Sequence, residues 1–323
     1  MYLNQSNKFF HGIMFHHFHD NVNHKQGQGS ISKDDFYKLI KFVGRKNILD
    51  ANIFFEKFKK NKLKENEVCF TFDDGIKCQI DIALPILEEL NIKSFFFIYT
   101  SIFEDNPHKL EVFRYFRMNY FDDVNTFYND FYKAMGENLK SFFVQNEYKI
   151  KSLMKKYSVY TIEDIKFRLI RDIYLDKNSY EKTMLLMMEE KNFNYEKIHS
   201  KLFFNVNDIK KIDKLGHIVG LHSHNHPALL EKLDYEKQKY EYEKCISILS
   251  KFLNKPNNDI KYMSHPCGSY NEDTLKILKE LGIELGFKQI MTIEPEKGMK
   301  KINNTKLEIA RQDHAQIMKI INQ

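Results

Sequence analysis

Two adjacent carboxylates before a glycine, Asp73-Asp74-Gly75, and a histidine-rich run, His222-Ser223-His224-Asn225-His226-Pro227, are the groups in this chain best suited to chemistry. One carboxylate and two histidines make a facial ligand set for a divalent cation and leave positions open for water and substrate. Side chains alternate across a strand, so at a strand end one aspartate can hold a cation while its neighbour accepts a proton from water. His222 and His226 have the spacing that puts both rings on one side of a helical turn, which Pro227 ends or redirects. His224 is expected behind the ligands or at the rim. A third segment, Ser264-His265-Pro266-Cys267-Gly268, is a turn whose backbone N–H groups are available to a substrate. Each segment alone has an ordinary reading, since Asp and Gly favour turns. Their order along the chain, each after an apolar run, points to one metal-dependent hydrolase site.

The elements that must position these groups read as alternating strands and helices. Residues 12–15 form an apolar run ending in His16, His17 and His19, a first strand with imidazoles at its C-terminal end. Ser32 reads as an N-cap, and Phe36, Leu39, Ile40 and Val43 follow as the stripe of an amphipathic helix. Residues 68–72 form a strand that delivers the two carboxylates; Ile80, Leu84, Leu87 and Leu90 mark a helix, and residues 94–99 the next strand. The rhythm breaks over 102–203, which reads as helical, with stretches such as 127–135 and 180–190. It resumes with helices over 207–215, 235–252 and 272–281, and strands over 218–221, 260–263, 285–288 and 307–310. Such alternation means a parallel α/β arrangement. The expected organisation is one domain, 1–101 and 204–323, carrying the helical insertion 102–203.

Composition bounds the function. A chain of 323 residues with 42% hydrophobic and 14% aromatic residues has a real core and is not disordered. The net charge of +6 is spread over Lys- and Glu-rich helical stretches, which suits solvated helix faces, and no basic-aromatic stripe points to nucleic acid. The cysteines Cys69, Cys78, Cys245 and Cys267 show no CxxC pairing, which fits reduced thiols. Neither an export signal nor a membrane-spanning apolar run is recognisable. The expectation is a cytoplasmic protein acting on a soluble, nucleotide-linked or carrier-linked substrate rather than a mature wall polymer.

Taken together, the motifs resemble those of the NodB-homology polysaccharide deacetylases, the family-4 carbohydrate esterases. The family's T-F-D-D-G is unbroken at Thr71–Gly75, and its H-S/T-x-x-H at His222–His226, preceded by Gly216-His217-Ile218-Val219-Gly220. Leu84-Pro85-Ile86-Leu87, Ser94-Phe95-Phe96-Phe97 and Phe15-His16 are similar to its flanking segments, so the resemblance spans roughly 10–100 and 204–313. It implies a distorted (β/α) barrel and removal of an N-acyl group from an amino sugar. It also implies a divalent metal, most often Zn2+, with Co2+, Ni2+ or Mn2+ as alternatives. Carried over by motif, Asp74, His222 and His226 hold the metal and Asp73 is the general base. The backbone N–H of Cys267, after Pro266, stabilises the oxyanion, and Pro266 and His16 line the substrate pocket.

Two departures stand out. The family's R-x-P-Y reads Ser264-His265-Pro266-Cys267, without the arginine that orients the base. Arg311, within Leu307-Glu308-Ile309-Ala310-Arg311-Gln312-Asp313, resembles the L-P-R-I-D of some branches and is a candidate replacement. The L-x-x-H of the general acid is not evident; His314 is the candidate, with His265 behind it. The reading is a metal-dependent hydrolase that removes an acetyl or formyl group from an amino sugar or glycan precursor, in surface polysaccharide biosynthesis. The alternative is a non-catalytic carbohydrate-binding or assembly protein that kept the fold and the metal site. The insertion would cap the pocket or form a homo-oligomer interface, with Arg114 and Arg117 in surface salt bridges or on a phosphate.

Overall fold

A computed structural model describes residues 12–64, 66–104, 109–135, 139–156, 160–289 and 305–323. Of these, residues within the spans 1–26, 30–108 and 203–323 cluster into one compact unit, and those within 27–29 and 109–202 into another.

The first unit is built on a seven-stranded sheet. Its strands are β1 (Gly12–Phe15), β4 (Cys69–Asp73), β5 (Phe95–Ile98), β6 (Ile218–Leu221), β7 (Tyr262–Ser264), β8 (Leu285–Phe287) and β9 (Arg311–Asp313). The two short strands β2 (Phe18–His19) and β3 (Ile31–Ser32) pair with each other. The order β8-β7-β6-β5-β4-β1-β9 is parallel at every pairing. Between its edges, Ile309 donates to Gly286 O and Lys288 to Ile309 O, each at 2.9 Å, and Phe287 and Ile309 form a parallel bridge. The sheet is therefore a nearly closed (β/α) barrel. The last strand lies later than the apolar pattern predicts. Residues 306–309 lace onto β8, and regular pairing with β1 begins only at Arg311, opposite Gly12. The apolar run 307–310 is the seam of the barrel.

Strand alternation separates two environments. Phe15, Phe70 and Phe72 pack with Phe36 of the helix Lys33–Val43 on the outer side, and Phe72 stacks on Phe96 at 4.7 Å. The opposite faces of the strands carry Cys69, Phe95, Phe97, Leu285, Phe287 and Ile309, which form one buried cluster with Ala51, Phe54 and Phe55. The helix Ala51–Lys59 thus plugs the end where the strands begin; its first N–H donates to Lys93 O, just before β5. From that apolar floor the interior turns polar along the strands, to Thr71 and Arg311 and then to Asp73 and Asp74. Burial on this scale, at about 1.5–3 kcal/mol for each large apolar side chain, is what holds a polar layer above it in one geometry.

The predicted helix after the first motif has an unpredicted start. It begins as a π-helix over Gln79–Ala83 before continuing as Leu84–Glu89. The second unit is helical among its described residues, with Phe116, Phe121, Phe127, Phe131 and Phe167 in edge-to-face contacts. There Arg117 lies over the Phe167 ring and Arg114 donates to Gln28 O. Among the described residues, no helix is long and apolar enough to cross a membrane.

Candidate active site

The two aspartates sit where β4 ends. Asp73 is the last strand residue, and Asp74 has left-handed backbone geometry (φ 78°), which turns the two carboxylates in different directions. Gln79, the first residue of the π-helix, holds this corner. Its Nε2 donates to Asp73 O at 2.6 Å and to His16 O at 2.9 Å, one residue beyond the last β1–β4 pair, Phe15 and Phe72. Sequence reading missed Gln79, because a glutamine in an amphipathic run carries no signal until the ends of two strands meet around it.

Arg311 supplies the charge beside Asp73. Its Nη1 donates to Asp73 Oδ1 at 2.8 Å and its Nη2 to Oδ2 at 2.7 Å, a bidentate pair with both side chains almost fully buried. Nη2 also donates to Ser264 Oγ at 2.7 Å, and Ser264 Oγ donates to Asp73 Oδ2 at 3.2 Å. Ser264 occupies the motif position from which the arginine is missing, and its small side chain leaves the space that the guanidinium fills from β9. Gly12 makes room lower down: a Cβ there would lie 2.6 Å from Arg311 Cγ. Burial pushes the Asp73 carboxyl up, but the Arg311 charge, His222, the Arg311 hydrogen bonds and His16 together hold it below the usual aspartate value.

Asp74, His222 and His226 converge as a buried trio whose ligand atoms all lie within 4.8 Å of one another. Asp74 Oδ1 is 3.3 Å from His222 Nε2 and 3.3 Å from His226 Nε2. Donors about 2.0–2.1 Å from one tetrahedral cation stand roughly 3.3–3.4 Å apart, so this spacing fits a metal. The same Oδ1 is buried and meets no hydrogen-bond partner of good geometry, an arrangement that a cation would satisfy. His222 Nδ1 donates to Ser264 O at 2.8 Å, which leaves Nε2 as the lone-pair side. Burial pushes the Asp74 carboxyl up, but the His222 imidazole 3.3 Å away and the charges of His226 and His16 hold it below the usual aspartate value. Burial likewise draws the His222 imidazole down, and Asp73 and Asp74 more than reverse it. Two carboxylates make this a site that favours positive charge. His16 Nε2 stands at the edge, 3.9 Å from Asp74 Oδ2 and 4.0 Å from Asp73 Oδ2, and is part-exposed.

The histidine segment is not the helical turn its spacing suggests. It leaves β6 as an irregular loop in which Ser223 (φ 63°) and His226 (φ 52°) are left-handed. The rings still meet, 4.8 Å apart at their centres. Local hydrogen bonds override the helical spacing: Ser223 Oγ accepts from His226 N at 3.0 Å, and Glu241, unremarked in the sequence, accepts from two further backbone N–H groups. His224 points elsewhere, with Nδ1 2.9 Å from Thr100 Oγ1 and Nε2 3.3 Å from Glu104.

Pro266–Gly268 is a 3-10 turn that begins two residues after Ser264, with His265 between them, Pro266 buried and Cys267 exposed in left-handed geometry (φ 53°). Two histidines proposed for proton delivery are placed otherwise. His314 is buried in the outer layer, its ring stacked on Phe15 at 5.4 Å and its Nδ1 3.2 Å from Met14 O. Phe15 faces away from Asp73, so His314 is not brought to Asp73 and Asp74: the chain after β9 starts a helix there and lays the ring on Phe15. His265 is fully buried, stacked on Tyr270 at 4.2 Å, and donates through Nε2 to Leu307 O at 2.8 Å across the seam. Burial first, with Arg311 adding to it, draws its pKa down to about 3, so it is neutral.

That neutrality has a consequence for stability. His217, buried beside Glu88, is likewise drawn down to about 4, chiefly by burial. Above about pH 6.5 folded and unfolded chains hold these rings alike; below it only the unfolded chain takes up protons, so stability falls as pH falls. Each contributes about 1.4 kcal/mol per pH unit until its folded pKa is reached. His265→Gln should therefore show a shallower fall in urea midpoint between pH 6.5 and 5 than the parent chain. Equal slopes would mean that His265 is protonated in the fold.

The family model described as polysaccharide deacetylase matches residues 60–160 and 173–286, well over half of the sequence. The chain belongs to the polysaccharide deacetylase family, enzymes that hydrolyse the amide of N-acylated sugars. Among solved structures it shares the fold of the Streptococcus pyogenes deacetylase PplD, determined with acetate. The TM-score is 0.54 at 16% identity, covering 94% of this chain and 91% of that one. IcaB from Ammonifex degensii aligns with a TM-score of 0.49 at 13% identity, over 86% of this chain and 82% of that one. No curated protein sequence matches the chain.

Proposed function

We propose that the protein is a metal-dependent de-N-acylase that removes an acetyl or formyl group from an amino sugar of a glycan precursor for surface polysaccharide. The observation that carries the metal is Asp74 Oδ1, buried between two imidazole nitrogens at 3.3 Å each. Asp74, His222 and His226 hold the cation, of which Zn2+ suits the two imidazoles and one carboxylate best. When bound, it supplies Lewis-acid polarisation of the amide carbonyl and acidifies water. Asp73, ionised and aligned by Arg311, accepts the proton from the attacking water. The backbone N–H of Cys267 faces the developing oxyanion, and Pro266 and His16 line the sugar's approach. We place the proton returned to the leaving amine on Asp73 itself, because His314 and His265 are both engaged elsewhere. PplD, whose fold the chain shares, is a deacetylase, in agreement with the reaction class.

The test is metal content of the purified protein together with release of acetate or formate from a panel of N-acyl amino sugars, free and carrier-linked. Near one metal per chain with turnover on a small sugar is expected. Absence of bound metal after Zn2+ or Co2+ is supplied would refute the ligand assignment, and turnover of polymer alone would refute the precursor substrate.

A further inference from the structure

We infer that Glu241 is a positioning residue for the cation, holding residues 223–226 in the left-handed path that turns His226 back toward His222 and Asp74. The inference rests on the reading of those three residues as metal ligands. Ser223 and His226 are both left-handed without being glycine, and such residues persist only where their surroundings over-determine them, at a cost of about 1–3 kcal/mol each. Glu241 supplies much of that determination. Its Oε2 accepts from His224 N at 3.0 Å and Asn225 N at 2.6 Å, and its Oε1 accepts from Asn225 Nδ2 at 2.8 Å. Two consecutive N–H groups reach one oxygen only if the chain folds around it. The carboxylate is buried, so these charge-assisted bonds are made out of water.

Other supports act on either side of this point. Ser101 N donates to His224 O at 2.9 Å, and Ser223 Oγ accepts from His226 N. The Asn225 backbone N–H and side-chain amide both donate to Glu241, and Asn225 is the residue that leads into His226. Glu241 stands on the helix Tyr235–Leu253, a rigid platform pinned to the same strand ends: Cys245 Sγ reaches Ile98 O, which also accepts from His222 N at 3.1 Å. One buried carboxylate thus ties a long helix to the backbone between two ligands.

The test measures Zn2+ affinity of the full-length protein by competition with a chromophoric chelator, with the unfolding midpoint in chelator as a separate gauge of stability. Loss of the groups that orient metal ligands costs about 10–100-fold in affinity. Glu241→Ala should weaken Zn2+ by that factor, and Glu241→Gln, which keeps one acceptor oxygen, by less. The control is Gln238→Ala, a buried polar residue one turn earlier on the same helix, bonded to Leu233 O and Thr274 Oγ1. It should lower stability and leave the affinity within twofold of the parent. Zn2+ bound by Glu241→Ala as tightly as by the parent, or weakened equally in both variants, overturns the inference. If Glu241→Ala does not fold, Glu241→Gln decides: a threefold or greater loss supports the role and none overturns it. A parent chain that binds no Zn2+ overturns the metal reading as well, whereas Zn2+ on the parent with Glu241→Ala unchanged overturns this inference alone.

Discussion

Asp73→Asn is expected to lower kcat/KM for amide hydrolysis by about 10²–10⁴-fold, the usual weight of a positioned general base, while the cation stays bound. Asparagine keeps the shape of the side chain under Arg311 and has no basic oxygen to take a proton from water. Asp74, His222 and His226 are untouched, so the loss should fall on kcat rather than on metal content or KM. The measurement is release of acetate or formate at saturating sugar beside metal analysis of the same sample. A variant within tenfold of the parent, with full metal, would remove Asp73 from its role.

Arg311→Met is expected to cost about 3–5 kcal/mol of stability, because it leaves the Asp73 carboxylate buried without its cation. Both side chains are essentially sealed from water, and the guanidinium also bonds Thr71, Ser264 and Lys288 O. Arg311 is the largest of the influences that offset burial at the Asp73 carboxyl, so its removal moves that carboxyl's pKa up from its lowered position. The sign follows: the buried carboxylate is disfavoured when ionised, so the deficit is fullest at neutral pH and narrows as pH falls and the group takes a proton. Urea midpoints of metal-free protein at pH 7 and pH 5 would show it. Gly12→Ala offers an independent route to the same end, since its Cβ would meet Arg311 Cγ at 2.6 Å. A deficit under 1 kcal/mol for Arg311→Met would mean that water enters the site.

Much of the fold and of the site is legible in the sequence, for definite reasons. The strand–helix alternation and the apolar runs predicted the parallel sheet, because side-chain period follows from backbone geometry and needs no partner to be read. Strand 12–15 and helix Lys33–Val43, with its Ser32 cap, fall where the pattern puts them. The last strand was misplaced, at 307–310 instead of Arg311–Asp313. Apolar residues 307–310 pack at the barrel seam, while Arg311 of the strand itself faces the polar interior, which inverts the usual signal. His314 was misjudged for a related reason: adjacency to Arg311 in sequence says nothing about which layer of a barrel a ring enters.

By itself, the sequence determined the chemical inventory of the protein: two carboxylates at a strand end, imidazoles after another strand, an apolar frame to carry them, and a family in which such groups cleave amides. Tertiary structure alone decided which of them meet. It set His222 and His226 against Asp74 through a left-handed loop, turned His224 away, and left His265 neutral at the seam. It brought Arg311 to Asp73 across the barrel, and Glu241 and Gln79 to backbone groups that no local pattern marks. The reason is physical. Residue type and period are local properties of a chain, whereas the charge, burial and hydrogen bonds that make a side chain a ligand, a base or a brace belong to the groups folded around it.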